Sequence, residues 1–287
     1  MTLEIVIWDV QHGNGIFIKT PNGTYAVKDL GSGSYSSGKG DFSPLLHIKE
    51  KYGIERLDYV IISHPHKDHI SDIMNFDDLS PRVLCRPKHL TKDDVMRDVL
   101  DKDKPLFEKY FEINQKYSEP ISPEENPKLP RNNGGVEILN FHPKSCEKSN
   151  INNHSIVTIL SYAESKVILP GDNESPSWKE LLKNEDFINA IRNADILLAP
   201  HHGRKSGYYQ ELFDYFKPYI TVVSDGRFCD SSATNRYGNV SKGWTVHHRI
   251  SGEKEKRYCL TTRKDGVIVI KLGYTEEKKT YIAVTVD

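Results

Sequence analysis

The apolar segment Tyr59-Val60-Ile61-Ile62 runs directly into Ser63-His64-Pro65-His66-Lys67-Asp68-His69, and no other stretch restricts the fold of this chain so tightly. Four consecutive apolar residues of this kind read as a buried strand. Three histidines and an aspartate between His64 and His69 then need a chemical explanation. Imidazole is the commonest nitrogen ligand for zinc-like cations, and a neighbouring carboxylate adds a harder oxygen donor that suits a second divalent ion. In an extended segment side chains alternate, so His64 and His66 point the same way, while a turn into helix after His66 carries Asp68 and His69 toward a different point. The spacing predicts two neighbouring metal positions. The competing explanation, a polar loop of surface histidines, does not account for so many donors at the end of a buried strand.

Similar donors stand where other strands begin or end. His154 lies in Asn152-Asn153-His154-Ser155, just before the apolar run Ile156–Tyr162. Asp172 follows Val167-Ile168-Leu169-Pro170-Gly171, where the Pro-Gly pair turns the backbone abruptly and presents a short carboxylate. His201-His202-Gly203 follows Ile196-Leu197-Leu198-Ala199-Pro200 in the same manner. Taken singly, Asp172 reads equally well as a turn residue and His154 as a hydrogen-bonded polar residue. Their repetition at strand ends predicts that they converge on one rim of a sheet.

The chain is 287 residues long, enough to hide about three quarters of its unfolded surface in one large core. No linker interrupts the pattern of short elements, so we read one domain over 1–287. Its opening is three strands, Leu3–Trp8, Ile16–Thr20 and Thr24–Val27, joined through Gly13-Asn14-Gly15 and Pro21-Asn22-Gly23. A Gly/Ser-rich loop, Gly31–Gly40, precedes a helix over Phe42–Tyr52 that stops at Gly53. Residues 73–132 are charged and proline-bearing, and read as an inserted, partly helical cover. Strands follow over Val136–Phe141, Ser155–Tyr162 and Lys166–Leu169. A helix over 177–192 leads to Asp195–Ala199, and another over Tyr208–Phe216 leads to Tyr219–Ser224. Residues 226–287 read as a strand-rich cap containing a hairpin, Val267–Leu272 with Tyr281–Val286. This order predicts an α/β architecture of two sheets covered by helices.

Composition removes several functions. Lys and Arg number 39 against 40 Asp and Glu, for a formal charge of -1, which argues against non-specific coating of nucleic acid. It leaves open an enzyme acting on one phosphodiester. The apolar runs are strand-sized, and the first twenty residues lack a basic start followed by an apolar segment, which disfavours a membrane span or classical secretion. Cys85, Cys146, Cys229 and Cys259 are scattered singly and read as reduced thiols of a cytoplasmic protein. No Gly-x-Ser-x-Gly elbow is present, and no cysteine stands beside an evident base, so covalent catalysis has no support.

The string His64-Pro65-His66-Lys67-Asp68-His69 resembles the HxHxDH motif of the metallo-β-lactamase superfamily, and the later order His, Asp, His is similar to its successive metal motifs. A nearer resemblance is to the hydrolase domains of ComEC-type DNA-uptake proteins and their stand-alone relatives. It rests on Trp8-Asp9-Val10-Gln11-His12-Gly13-Asn14-Gly15, Asp29-Leu30-Gly31, Asn152–Val157, Pro170-Gly171-Asp172 and Pro200-His201-His202-Gly203, and spans roughly residues 3–225.

The resemblance implies a four-layer αββα sandwich holding two divalent metal ions, zinc, with manganese as the alternative. It implies that His64, His66 and the third-motif residue, His154 or its neighbour Asn153, hold one metal. Asp68, His69 and His202 hold the other, and Asp172 bridges both. His201 then faces substrate, and Asp29 orients a ligand imidazole. The implied reaction is hydrolysis by a solvent molecule that the metal pair ionises near neutral pH, most naturally of a phosphodiester in DNA, RNA or a nucleotide. Protonation of the leaving oxygen falls to His201, or to Lys205 or Tyr208, and Arg204 and Lys205 neutralise phosphate oxygens. Two other expectations are kept: a lactone, thioester or amide hydrolase, and a metal-stabilised scaffold or sensor without turnover. The sequence specifies no protein partner. His12 reads as a hairpin residue as readily as a catalytic one, and the basic, aromatic stretch from Arg227 to Arg249 as either a substrate wall or a solvated loop.

Overall fold

The computed structural model describes residues 1–34, 41–226 and 232–287. Residues 35–40 of the Gly/Ser-rich loop, Arg227 of the basic stretch, and Cys229 lie outside them.

Three antiparallel neighbours open the chain: β1 (Thr2–Ile7), β2 (Gly15–Lys19) and β3 (Tyr25–Leu30). Strand alternation sends Leu3, Ile5, Ile7, Ile16 and Ile18 to one face and Val6 and Phe17 to the other. A short pair follows, β4 (Gly33–Ser34) with β5 (Asp41–Phe42). Helix α1 (Pro44–Tyr52) begins where the Ser43 side chain accepts the Leu46 N–H and ends on Gly53 in the left-handed region, φ 62°. It returns the chain to β6 (Tyr59–Ile61), which lies parallel to β3. Helix α2 (Lys67–Ile70) completes the histidine run, and β7 (Val83–Cys85) adds a parallel edge strand beside β6.

The segment read as a cover therefore contributes a strand as well as helices. Its helical part is α3 (Lys92–Met96), started by a reciprocal Thr91–Asp94 capping box, and α4 (Lys104–Lys116). Phe107, Tyr110 and Ile113, one turn apart on α4, are buried in the same apolar cluster as Phe76 and Leu79.

The second half runs β8 (Glu137–Phe141), β9 (Val157–Tyr162) and β10 (Ser165–Leu169), then α5 (Ser175–Leu181) and α6 (Glu185–Ile191). The single helix expected over 177–192 is thus two. Asn184 interrupts it, because its side chain accepts from the backbone of Asp186 and Phe187 and restarts the helix as an N-cap. Strand β11 (Ile196–Leu198) and β12 (Ile220–Val223) lie parallel to β10, and the helix expected over 208–216 is a 3-10 turn at Gln210–Asp214. Last come α7 (Thr234–Val240), β13 (Trp244–His248), β14 (Lys254–Arg257), β15 (Cys259–Thr261), α8 (Thr262–Asp265), β16 (Ile268–Tyr274) and β17 (Thr280–Val286).

The strands form a nine-stranded sheet, β14-β13-β17-β16-β1-β2-β3-β6-β7, and a six-stranded sheet, β15-β12-β11-β10-β9-β8. The carboxyl-terminal strands are built into both: β16 is the antiparallel neighbour of β1, and β15 the parallel neighbour of β12. Inward residues of the two sheets share one apolar core, while the outer faces bury separate clusters against α1 and α4 on one side and α5, α6 and α7 on the other. The result is the αββα layering expected. Lys28 occupies an inward position of β3 and is fully buried, where Nζ donates to the Ile156 carbonyl at 2.9 Å and to Thr158 Oγ1 at 3.2 Å, tying one sheet to the other. No helix among the described residues is long and apolar enough to cross a membrane.

Strand direction positions the site. Strands β1, β3 and β6 run the same way, so Trp8–Gly13, Asp29 and Ser63–His69 leave the first sheet at one rim. In the second sheet β10, β11 and β12 are parallel and β9 opposes them, so Asp172, His201–His202, Ser224 and the start of β9 also share a rim. The two rims meet.

Candidate metal centre

After β6 the chain bends at Ser63, is extended at His66, at φ -87° and ψ 154°, and turns into α2 at Lys67. His64 and His66 are consequently adjacent, with Nε2 of one 3.0 Å from Nδ1 of the other. Asp68 and His69, on the first turn of α2, point instead toward the second sheet.

There they meet Asp172 and His202. One ligand atom from each of Asp68, His69, Asp172 and His202 lies within 4.8 Å of all the others. His202 Nδ1 is 2.9 Å from the Ser224 carbonyl. A carbonyl only accepts, so Nδ1 carries a proton. His202 Nε2 then faces Asp68 Oδ2 at 3.1 Å and Asp172 Oδ2 at 3.4 Å, and both of these oxygens are acceptors. His69 repeats the arrangement: Nδ1 is 3.0 Å from Asp29 Oδ2, while Nε2 is 3.2 Å from Asp172 Oδ1 and 3.7 Å from Asp68 Oδ2. His69 Nε2 and Asp172 Oδ1 are buried without a hydrogen-bond partner.

Lone pairs aimed at one another in a buried space are stable only with positive charge between or upon them. Protons are one source. Burial alone lowers both imidazoles, but Asp172 overrides it, helped by Asp29 and Asp68 at His69 and by Asp68 at His202; His69 rises well above its ordinary range and His202 is pushed up to about 10. Burial likewise opposes ionisation of Asp68 and Asp172, yet the two imidazoles hold both carboxyls well below the usual carboxylate range. A divalent cation is the other source: two imidazole nitrogens and two carboxylates whose ligand atoms lie within 4.8 Å of one another are a donor set of the kind a zinc-like ion takes.

His64 borders the same space. Its Nε2 is 4.0 Å from Asp172 Oδ2, and its Nδ1 is 3.1 Å from Ser63 Oγ and from Ser155 Oγ. Burial, then His69 and His66, drive its pKa well below the ordinary value, so it is a neutral lone-pair donor. Burial lowers His66 as well.

The backbone at this rim is held in conformations that cost energy. Gln11, Asp29, His201 and His202 all have positive φ, at 60°, 60°, 48° and 52°. Each costs on the order of 1–3 kcal/mol and persists only where surroundings over-determine it. Two glycines show how tight those surroundings are: a Cβ on Gly13 would meet the Asp68 carbonyl oxygen at 2.4 Å, and one on Gly31 would meet that same oxygen at 2.6 Å. The loops after β1 and β3 thus press on the backbone that presents Asp68. Asn14 N–H donates to the Asp68 carbonyl at 3.3 Å.

Several residues deserve separate placement. His201 lies beside the cluster, with Nε2 3.9 Å from Asp172 Oδ2 and 3.1 Å from Arg204 Nη1, and Nδ1 2.9 Å from Glu174 Oε1 and 3.0 Å from Ser206 Oγ. Lys205 is exposed, and its neighbour Arg204 is the residue that reaches His201. His154 is not among the four residues gathered within 4.8 Å, and its Nε2 is buried without a hydrogen-bond partner. Its Nδ1 lies 2.9 Å from His89 Nε2, and His89 stacks in turn on His142 at 5.0 Å. Asn153 Oδ1 accepts from the Glu174 backbone. In the basic stretch, His248 pairs with Glu255, and Arg249 with Asp287.

Sequence reasoning gave His12 too little weight and missed Glu174, Ser63 and Ser155. His12 Nε2 lies 3.3 Å from Asp68 Oδ2, and its ring is 4.7 Å from that of His202.

Comparison with known proteins adds a family and its relatives. A family model described as Metallo-beta-lactamase superfamily matches residues 9–224. ComE operon protein 3 of Bacillus subtilis (strain 168) is 25% identical over 254 residues, covering 82% of this chain and 29% of that protein; the chain spans less than a third of its relative's length. Among solved structures, a diphosphatase from the PhnP family is 11% identical with a TM-score of 0.42, covering 82% of this chain and 92% of that one. CmlA, a diiron β-hydroxylase from Streptomyces venezuelae, is 14% identical with a TM-score of 0.43, covering 77% and 44%.

Proposed function

We propose, from the premise that this chain belongs to the metallo-beta-lactamase superfamily, that it is a dinuclear metal-dependent phosphodiesterase acting on nucleic acid or nucleotides. As a member of that superfamily it is a metal-dependent hydrolase. One observation carries the rest: donor atoms of Asp68, His69, Asp172 and His202, drawn from different strand ends, face one another in a buried space that demands positive charge.

In this reading Asp68, His69 and His202 would hold one cation, His64 and His66 would help to hold the other, and Asp172 would serve both. His154 remains with His89 and His142. Zinc suits the imidazole-rich donor set, and manganese suits its carboxylates. Such cations supply a water acidified to near neutral pH and a positive charge for the oxygens of the transition state. The protein supplies orientation. Asp29 and the Ser224 carbonyl fix the rings of His69 and His202, and Ser63 and Ser155 fix His64. His201 stands beside the cluster with Nδ1 against Glu174, and would serve the leaving oxygen through Nε2 once Arg204, which donates to that nitrogen, turns toward substrate. Arg204, whose Nη1 donates to His201 Nε2, is the guanidinium beside the cluster that would pair with a phosphoryl oxygen. Lys205 adds long-range attraction for an anion. The free thiols Cys85, Cys146 and Cys259 support a reducing, cytoplasmic setting.

The test is turnover of bis-p-nitrophenyl phosphate beside a panel of lactones, with zinc, with manganese and after chelation. We expect metal-dependent release of p-nitrophenol. Metal-dependent activity confined to lactones would overturn the phosphodiester assignment and favour the acyl hydrolase.

A further inference from the structure

A cavity of about 500 Å³ opens directly off the cluster, sharing His66 and Asp68 with it and running between α3, α4 and the loop before β9. Its volume lies in the range of about 300–1,000 Å³ that receives small organic ligands. One wall is apolar: Val95, Phe107 and Ile151 are buried, while Leu100 lies at the lip with 61% of its surface exposed. An apolar side chain left open at the mouth of a cavity is surface available to a ligand.

The charged lining points away from a polymer. Lys67 is engaged by Asp103 at 2.7 Å, and Arg97 stands 4.0 Å from Asp94, which also takes Lys148 at 3.1 Å. Asp98 adds a further exposed carboxylate. The basic groups are thus already matched, and acidic groups outnumber them along this wall. A nucleic-acid strand brings a phosphate with every nucleotide and is repelled by such a lining. An uncharged body with hydroxyl groups is not, because carboxylates accept hydrogen bonds from hydroxyls.

We propose that this cavity is the subsite for the uncharged body of a small phosphodiester, a nucleoside. The phosphoryl group lies at the His66–Asp68 end, the sugar hydroxyls near Asp98, and the base against Leu100 and Phe107. The proposal rests on the phosphodiesterase reading and narrows it from nucleic acid to nucleotide-sized substrates. It also gives the cover segment a role, since α3, α4 and the residues between them supply most of the wall.

Binding to the metal-loaded chain tests it without relying on turnover. Adenosine 5′-monophosphate, inorganic phosphate and a short oligothymidylate are titrated into the wild type, Leu100→Asp and Leu100→Met. Because Leu100 is exposed, neither substitution threatens the fold, and unchanged affinity for inorganic phosphate checks the centre. We expect the mononucleotide to bind about 10-fold tighter than phosphate and Leu100→Asp to lose about that factor, the order expected for withdrawing one apolar contact. Leu100→Met should keep it. Equal binding of mononucleotide and phosphate, tighter binding of the oligothymidylate, or an unaffected Leu100→Asp would overturn the subsite while leaving the phosphodiesterase reading intact. Mononucleotide binding as expected, with no phosphodiester hydrolysed, would sink that reading and support the subsite alone.

Discussion

Asp29 shows how much one residue contributes without touching the open space of the cluster. Its Oδ1 accepts the Ser63 N–H at 2.6 Å and its Oδ2 faces His69 Nδ1 at 3.0 Å, so it fixes both the strand exit and the ring that follows. An asparagine tolerates the positive φ of this position but presents an amide that is donor on one side. Asp29→Asn should therefore fold normally and bind zinc about 10–100-fold more weakly, measured by competition with a chelating dye. Unchanged affinity would mean that His69 needs no orienting partner. Asp29 was legible because it closes a strand within a recognisable motif, as were His64, His66, Asp68 and His69. His12 and Glu174 were not. Their neighbours in the sequence explain them as turn residues, and only the closing of β1 and β10 onto one rim brings them to Asp68 and His201.

At the scale of elements, the turn between β9 and β10 is the place where local sequence and structure disagree most. Ala163 and Glu164 both have positive φ, 50° and 60°, the requirement of a type I′ hairpin, which normally selects Asn-Gly. Tertiary context wins because Ala163 is packed into the inter-sheet core and β9 and β10 are in full antiparallel register. Glu164 is exposed and gains nothing from its side chain to offset the conformation. Glu164→Gly should stabilise the protein by about 1 kcal/mol in denaturant unfolding, the size of the left-handed penalty less the added flexibility of the unfolded chain. A loss of stability would show that the glutamate makes a contact that outweighs its strain. The opposite kind of misreading occurred over 177–192, where apolar periodicity continued through Asn184 although its side chain caps a new helix.

Across the whole molecule, the two-sheet plan was legible from alternation and turn residues, but the partners of the last strands were not. Residues 268–286 show a hairpin to any reader of periodicity; that β16 lies beside β1, more than 260 positions away, depends on long-range pairing that no local pattern encodes. The same global closure creates the metal centre, since Asp68 and His202 come from different sheets and lie 3.1 Å from Nε2 to Oδ2. Folding and cation binding would be linked for that reason: a cation bound there would hold together two halves that the apolar core has already aligned.

Elemental analysis of chelator-treated protein re-equilibrated with zinc or manganese, compared between wild type and Asp172→Ala at equal helical content, addresses this arrangement directly. The account predicts about two cations per wild-type chain and loss of at least one on removing the carboxylate shared by both positions. A wild type that takes up no cation, or an Asp172→Ala variant that retains the full complement, would contradict it.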